Sequence, residues 1–172
     1  MMNKQITQLE IIENKIFELD SLLVRLMQWR ENREKIVFTN GCFDIIHRGH
    51  IDYLSKARDL GDRLIIGVNT DSSVRGLKGK NRPIQDEVSR ATILAALGFV
   101  DAIVLFDSPT PEELINKIIP DVLVKGADYK IEDIVGYKTM VENNKEIKTI
   151  EFLEGYSTTK IENKIISLRE NN

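Results

Sequence analysis

Two histidines lie three residues apart at the start of a predicted helix, and they are the only histidines in the chain. His47 and His50 follow a short apolar run at 36–39 and come just before an amphipathic stretch at 51–60. This pattern predicts a strand, a tight turn and a helix N-terminus, where unpaired N–H groups and the helix dipole favour an anion. Gly49 would let the backbone approach that anion, and both imidazoles could reach the same phosphate.

A zinc pair is the alternative interpretation of the two histidines, with Cys42 or Asp44 as a further ligand. Zinc sites usually need three or four ligands, most of them nitrogen or sulfur, and the chain has one cysteine and no third histidine. The patterns G-x-G-x-x-G and G-x-x-x-x-G-K-[ST] are also absent, so neither a dinucleotide fingerprint nor a P-loop is predicted. We therefore expect a phosphate site without dedicated metal ligands.

A second basic segment follows the next predicted strand. Residues 75–83 contain four cations and two glycines, a composition typical of a mobile loop that closes over a polyphosphate. A solvated surface loop is the alternative, because exposed lysine and arginine are common on loops. Its position one connection away from the histidines favours the phosphate-binding interpretation.

Composition limits the class of protein. The 172 residues are 42% hydrophobic and 30% charged with a net charge of −3, which is ordinary for a soluble domain and argues against nucleic acid as the main partner. We expect no membrane association, since no apolar run is long enough to cross a bilayer and no signal peptide is apparent. A single cysteine excludes an intrachain disulfide and fits the cytoplasm.

The pattern of apolar residues divides the chain in two. Residues 1–32 carry an apolar stripe at helical spacing and are expected to form an N-terminal helical extension, either one helix or two with a second start at Asp20. The stripe would pack on the rest of the protein or form a homodimer contact. Residues 33–172 form the second part. There, apolar runs alternate with helical patterns: predicted strands are 36–39, 64–69, 102–106, 122–125 and 147–152, and predicted helices are 51–60, 87–97, 111–118, 135–143 and 159–168.

This alternation predicts an α/β fold of the Rossmann-like, doubly wound type with a five-stranded parallel sheet. Ligands of such sheets bind beyond the carboxyl ends of the strands. Most of the candidate polar residues follow a predicted strand, so we expect them to gather at that edge.

Four segments together resemble the nucleotidyltransferase superfamily that carries H-x-G-H after its first strand. They read NGCFDIIHRGH, RGLKGKNRPI, DVLVKGADY and GYSTTKI, and the resemblance covers about residues 33–168. Within that superfamily, their order and spacing are similar to the adenylyltransferase domain of the enzymes that make ADP-activated heptose for lipopolysaccharide. The H-x-G-H and S-T-T elements are shared with cytidylyltransferases for glycerol 3-phosphate and ethanolamine phosphate.

The resemblance implies a role for each candidate site residue. The implied catalytic residues, which stabilise charge on the phosphates, are His47, His50, Lys78 and Lys80. The implied nucleotide-binding residues are Asn40, Gly41, Phe43, Gly49, Lys125, Ser157, Thr158 and Thr159. The implied substrate-binding residues are Asp44, Arg82, Arg90 and Asp128.

Several of these residues also have a local structural interpretation. Lys125 and Asp128 could form an ion pair at a strand end, and Asp44 could cap the turn or orient a histidine. Thr159 has capping-box spacing to Glu162. An arginine in a helix, such as Arg90, is most often a surface residue.

The resemblance implies transfer of AMP from ATP to a heptose 1-phosphate, giving ADP-heptose and pyrophosphate. Mg²⁺ would be bound mainly through ATP and pyrophosphate, and a separate sugar kinase would supply the heptose phosphate. One alternative is a cytidylyltransferase acting on glycerol 3-phosphate or a similar small phosphate. The other is a non-catalytic nucleotide-binding module that acts in assembly.

Overall fold

The computed structural model describes residues 6–127 and 130–170. Its helices are α1 (Gln8–Glu13), α2 (Leu19–Glu31), α3 (Arg48–Arg58), α4 (Asp71–Lys78), α5 (Glu87–Ala95), α6 (Glu112–Ile118), α7 (Tyr137–Glu142) and α8 (Thr158–Glu170), with a short 3₁₀ helix at Ile131–Asp133. Its strands are β1 (Ile16–Phe17), β2 (Ile36–Gly41), β3 (Arg63–Asn69), β4 (Ala102–Phe106), β5 (Val122–Gly126) and β6 (Glu146–Ile150).

The strands form one parallel sheet in the order β1-β4-β3-β2-β5-β6. The predicted doubly wound α/β fold is therefore confirmed, but the sheet has six strands where five were predicted. The additional strand is β1, in which Ile16 and Phe17 pair with Ile103 and Val104. Two residues are too few to show an alternating pattern, and Ile16 also fits the apolar stripe at helical spacing. For these reasons no strand was predicted here.

Both faces of the sheet are buried, as a parallel sheet with crossover helices requires. Along β2, Ile36 and Phe38 belong to one hydrophobic core, whereas Val37 belongs to the other. Helices α2, α6 and α7 contribute to the first core, and α3 and α5 to the second. The continuous apolar runs of the inner strands follow directly from this burial on both sides.

The N-terminal segment contains two helices separated by β1. A capping box between Thr7 and Glu10 begins α1. Helix α2 buries Leu22, Leu26 and Trp29 in the first core, so much of the apolar stripe packs on the sheet. The boundary predicted at residue 32 falls in the connection between α2 and β2.

The predicted basic loop at 75–83 begins inside a helix. Thr70 caps α4, because its hydroxyl accepts a hydrogen bond from the Ser73 N–H at 3.2 Å. Gly79 ends the helix with a φ of 95°, a conformation that favours glycine. The expectation of a loop across the whole segment is thus wrong for its first four residues.

The strand order reverses at β2, which pairs with β3 on one side and β5 on the other. At such a switch point the connections leave in opposite directions and open a crevice beyond the carboxyl ends of the strands. No helix in the described part of the chain is long and apolar enough to span a membrane.

Candidate active site

The two histidines lie at the N-terminus of α3. His47 is the N-cap residue and His50 is the third residue of the helix. Their rings stack with centroids 3.9 Å apart and planes 17° apart. The Nδ1 atom of each ring is buried and has no hydrogen-bond partner among the residues that the structure describes. Buried polar atoms are normally satisfied, so two such nitrogens side by side mark this turn as an unusual place in the fold.

Both imidazoles are held in the neutral form. Burial lowers the pKa of His50 to about 4, and the stacked His47 and the charge of Lys78 also oppose its protonation. Burial also lowers the pKa of His47. An anion beside the rings would oppose these effects, because a negative charge favours the protonated imidazole.

The turn before α3 holds an aromatic ring against His50. Phe43 adopts a left-handed backbone with a φ of 47°, which is uncommon for a large side chain. Its ring meets the His50 ring edge to face at 5.4 Å. A Cβ at Gly41 would lie 3.0 Å from the Phe43 ring, so a side chain here would force that ring to move by a few tenths of an ångström.

A cavity of about 370 Å³ opens at the switch point. Its lining includes eight predicted site residues: Asn40, Gly41, Phe43, Asp44, His50, Lys78, Lys125 and Thr158. It also includes five residues outside the predicted site set: Cys42, Tyr53, Asn69, Gly126 and Phe152. The cavity therefore brings together residues that follow β2, β3, β5 and β6, as expected for this fold.

Two lysines supply positive charge to the cavity. Lys78, at the end of α4, acts on the pKa of both His50 and Cys42. Lys125 donates a hydrogen bond to the Asn40 side chain. Its predicted partner Asp128 lies outside the described residues, and Lys80 does not line the cavity.

Asp44 connects the histidine turn to the segment after α4. Its Oδ1 accepts hydrogen bonds from the N–H groups of Ile84 and Gln85 at 2.8 and 3.0 Å. Its Oδ2 accepts one from Arg82 at 2.8 Å. Burial alone would raise the pKa of Asp44, but the Gln85 N–H and Arg82 outweigh it and hold that pKa below its usual value.

Arg82 continues this connection to α8, where it forms an ion pair with Glu162. The substrate-binding roles of Asp44 and Arg82 stay predictions. Their contacts in the structure join the loop after α4 to both helix N-termini of the site.

Arg90 is completely buried, so the interpretation of it as a surface residue is wrong. Its guanidinium donates to the backbone oxygens of Cys42 at 2.6 Å and Gln85 at 3.1 Å, and to Asp71 at 2.8 Å. Contact with a substrate would require part of this network to open. Substrate binding by Arg90 stays a prediction, and the observed contacts position the cavity wall.

The N-terminus of α8 is capped by Ser157, whose hydroxyl accepts a hydrogen bond from the Lys160 N–H at 3.2 Å. The predicted capping box between Thr159 and Glu162 is therefore wrong, because the helix begins one residue earlier and Glu162 pairs with Arg82. Of the three hydroxyl residues, Thr158 lines the cavity.

Because Gly49 has no side chain, the loop before α8 can lie close to the histidines. A Cβ at this position would lie 3.1 Å from the His47 ring and 3.1 Å from the Cβ of Tyr156. Arg48 donates a hydrogen bond to the Tyr156 hydroxyl at 3.2 Å, and its guanidinium lies 5.6 Å from the centre of that ring. The loop before α8 thus rests on the first turn of α3.

The doubly wound sheet, with stacked imidazoles and two lysines at its switch point, defines an α/β protein of the H-x-G-H class. Residues 38–164 match the family described as cytidylyltransferase-like. Because the match covers most of the chain, the protein belongs to that family.

Similar proteins include the bifunctional protein HldE from three bacteria. Identity is 49% with the protein of Methylobacillus flagellatus over 90% of this chain, 54% with that of Campylobacter jejuni over 89%, and 56% with that of Histophilus somni over 80%. These matches cover 32%, 32% and 29% of the respective relatives, so the chain spans about a third of their length.

A solved structure supports the fold assignment. The lipopolysaccharide core biosynthesis protein from Thermoplasma volcanium superposes with a TM-score of 0.58 at 29% identity. The match covers 70% of this chain and 99% of that protein.

Proposed function

We propose that this chain is an adenylyltransferase that transfers AMP from ATP to a heptose 1-phosphate, releasing pyrophosphate and forming ADP-heptose. The observation that carries the proposal is the stacked pair of neutral histidines beside Lys78, at a helix N-terminus that opens into the cavity. The similarity to the bifunctional HldE proteins at about 50% identity supports this choice of reaction.

In the proposed reaction, a phosphate oxygen of the sugar phosphate attacks the α-phosphorus of ATP. One P–O bond forms as the bond to the β-phosphate oxygen breaks, and pyrophosphate leaves. The nucleophile is already an anion, so the reaction needs no general base. The protein must hold two anions in line and stabilise the charge that develops on the α-phosphate and the leaving group.

The residues of the cavity suit that task. His50 lines the cavity and His47, which does not, stacks on its ring; we propose that both become better donors as anions approach. Lys78 and the N-termini of α3 and α8 add positive potential. We propose Lys125 and Thr158 as further contacts to the nucleotide, because both line the same cavity.

Mg²⁺ would enter with the nucleotide, neutralising charge on the phosphates. The ion prefers phosphate and water oxygens, and the carboxylate of Asp44 already accepts hydrogen bonds from Ile84, Gln85 and Arg82. We therefore assign the ion to ATP and pyrophosphate.

We also infer that a sugar kinase supplies the acceptor. We infer that the reaction occurs in the cytoplasm, where ATP is made, and that a homodimer is the assembly to test.

A cytidylyltransferase for glycerol 3-phosphate or a similar phosphate is the second candidate, favoured by the description of the matching family. The test is pyrophosphate release with Mg²⁺, in which ATP and CTP are each combined with heptose 1-phosphate, glycerol 3-phosphate and ethanolamine phosphate. Turnover with ATP and the heptose phosphate alone supports the proposal. Turnover with CTP supports the second candidate, and no turnover with any pair supports a non-catalytic module.

Two variants connect the activity to the cavity. His50→Ala and Lys78→Ala should each lower turnover by about a hundredfold, the usual effect of losing one donor to a developing charge. Lys138→Ala is the matched control, because it also removes one cation but from a side chain that is 86% exposed on α7. Near-normal turnover of a folded His50→Ala protein would remove the central role of the histidines.

A further inference from the structure

Phe152 is an exposed aromatic residue in the wall of the cavity. It lies in the connection between β6 and α8, and its exposed fraction is 55%. A single exposed phenylalanine on an outer surface needs no explanation. Here the exposed ring belongs to the cavity that holds His50 and Lys78, so its free surface faces the space where a ligand would bind.

The other walls of the cavity do not offer such a surface. Phe43 and Tyr53 also line it, but they are only 7% and 6% exposed and belong to the second hydrophobic core. Most of the remaining lining side chains are polar or charged. Of the three large aromatic residues in the lining, Phe152 is therefore the one with a large solvent-exposed area that a ligand could cover.

The ring of Phe152 is supported from one side. It packs against Tyr53 with centroids 5.7 Å apart and planes tilted by 41°. Tyr53 is itself held by a hydrogen bond of 2.8 Å between its hydroxyl and that of Thr39 on β2. Helix α3 thus positions Phe152 through a buried neighbour, and little order has to be gained when a ligand contacts the ring.

The cavity wall consequently has two chemically different parts. His50 marks the anion-binding part at the start of α3. Tyr53 lies three residues further along the same helix, which is about 4.5 Å along its axis, and carries Phe152 beside it. A nucleotide has the same arrangement, with charged phosphates joined through ribose to a flat apolar base. A heptose phosphate has no planar group.

We propose that the nucleobase of the donor nucleotide stacks on Phe152, which would make this residue a determinant of nucleotide affinity. The inference rests on the proposed function, since it assumes that a nucleotide occupies the cavity. Stacking of a base on an aromatic side chain tolerates different bases because every base has a π-face. The larger purine should gain more from the contact than a pyrimidine.

The test measures binding by calorimetry with three ligands: ATP, inorganic tripolyphosphate and heptose 1-phosphate. Tripolyphosphate keeps the charged part of ATP and lacks the base. Phe152→Leu keeps an apolar side chain without a π-face and should weaken ATP binding by about tenfold, with tripolyphosphate binding unchanged. Phe152→Trp should restore ATP binding. Val141→Ala on α7 is the control, because it shortens another exposed apolar side chain.

The binding results distinguish base stacking on Phe152 from other roles of this residue and from failure of the proposed function. Selective loss of ATP affinity in Phe152→Leu, with rescue by tryptophan, supports base stacking. An ATP affinity within twofold of the unchanged protein overturns it, as does an equal loss for tripolyphosphate or a loss confined to heptose 1-phosphate. Failure of the unchanged protein to bind ATP would instead refute the proposed function on which the inference depends.

Discussion

Nucleotide binding should be coupled to protonation of the histidine pair. In the free protein burial, the stacked His47 and the charge of Lys78 lower the pKa of His50 to about 4, so the ring is neutral at physiological pH. Polyphosphate beside the ring would reverse the electrostatic part of that effect. Because the bound state then has the higher pKa, protons are taken up on binding and ATP affinity rises as the pH falls.

The size of the effect follows from the two pKa values. If bound phosphates restore the ordinary value of about 6.5, the protonated fraction of His50 at pH 6 rises from about 1% to about 75% on binding, given a free pKa of about 4. This corresponds to roughly 0.75 proton per nucleotide and to ATP binding about fourfold tighter at pH 6 than at pH 8. The stacked arrangement opposes a second proton on His47.

Calorimetry in buffers of different ionisation enthalpy measures this uptake directly. His50→Gln provides the control, since ATP itself gains a proton near pH 6 and that contribution is common to both proteins. The difference in uptake between the unchanged protein and His50→Gln should approach the value above. A difference below about 0.2 proton at pH 6 would refute the argument.

Three substitutions test other parts of the site. Asp44→Ala should lower the free energy of unfolding by about 1–3 kcal/mol in urea, since it leaves the N–H groups of Ile84 and Gln85 without their acceptor and removes one of the two carboxylate partners of Arg82; a loss below about 0.5 kcal/mol would contradict this. Gly49→Ala should reduce kcat by up to about a hundredfold with a near-normal melting temperature, because the new methyl group displaces His47, and an unchanged kcat would show that the ring needs no such space. Glu162→Gln should raise the KM for ATP several-fold while the stability changes by ~1 kcal/mol or less, since α8 loses its ion pair with Arg82; equal KM values would argue that this pair does not position α8.

Much of the fold could be predicted because each inner strand has a continuous apolar run in the sequence. Runs such as 64–68 and 102–106 contain no polar side chain, since both faces of the sheet are covered, and the predicted bounds of 64–69 and 102–106 agree with β3 and β4 within one residue. Strand β1 was missed because two residues are too few to show the periodicity of apolar residues that identifies a strand. Helix α4 was missed because its exposed, basic composition resembles a loop, although Thr70 followed by Asp71 was a usable start signal.

The part of the candidate site that could be predicted consists of residues close together in sequence. The spacing of His47 and His50 at a helix start is a local property, and the structure places them together. The partners of Arg90 and Asp44 depend on contacts between segments about 20 to 50 residues apart, which no local pattern encodes. Phe152 was missed for a related reason, because only tertiary structure shows that a cavity borders it.

The place of β2 between β3 and β5 has a consequence for synthesis of the chain. Strands β1 to β4 can pair with one another once β4 has left the ribosome, but β2 then presents an open edge until β5 emerges. An uncovered edge of this kind can pair with another chain. The cavity also needs Lys125, Phe152 and Thr158, so it is complete only after the start of α8 has emerged.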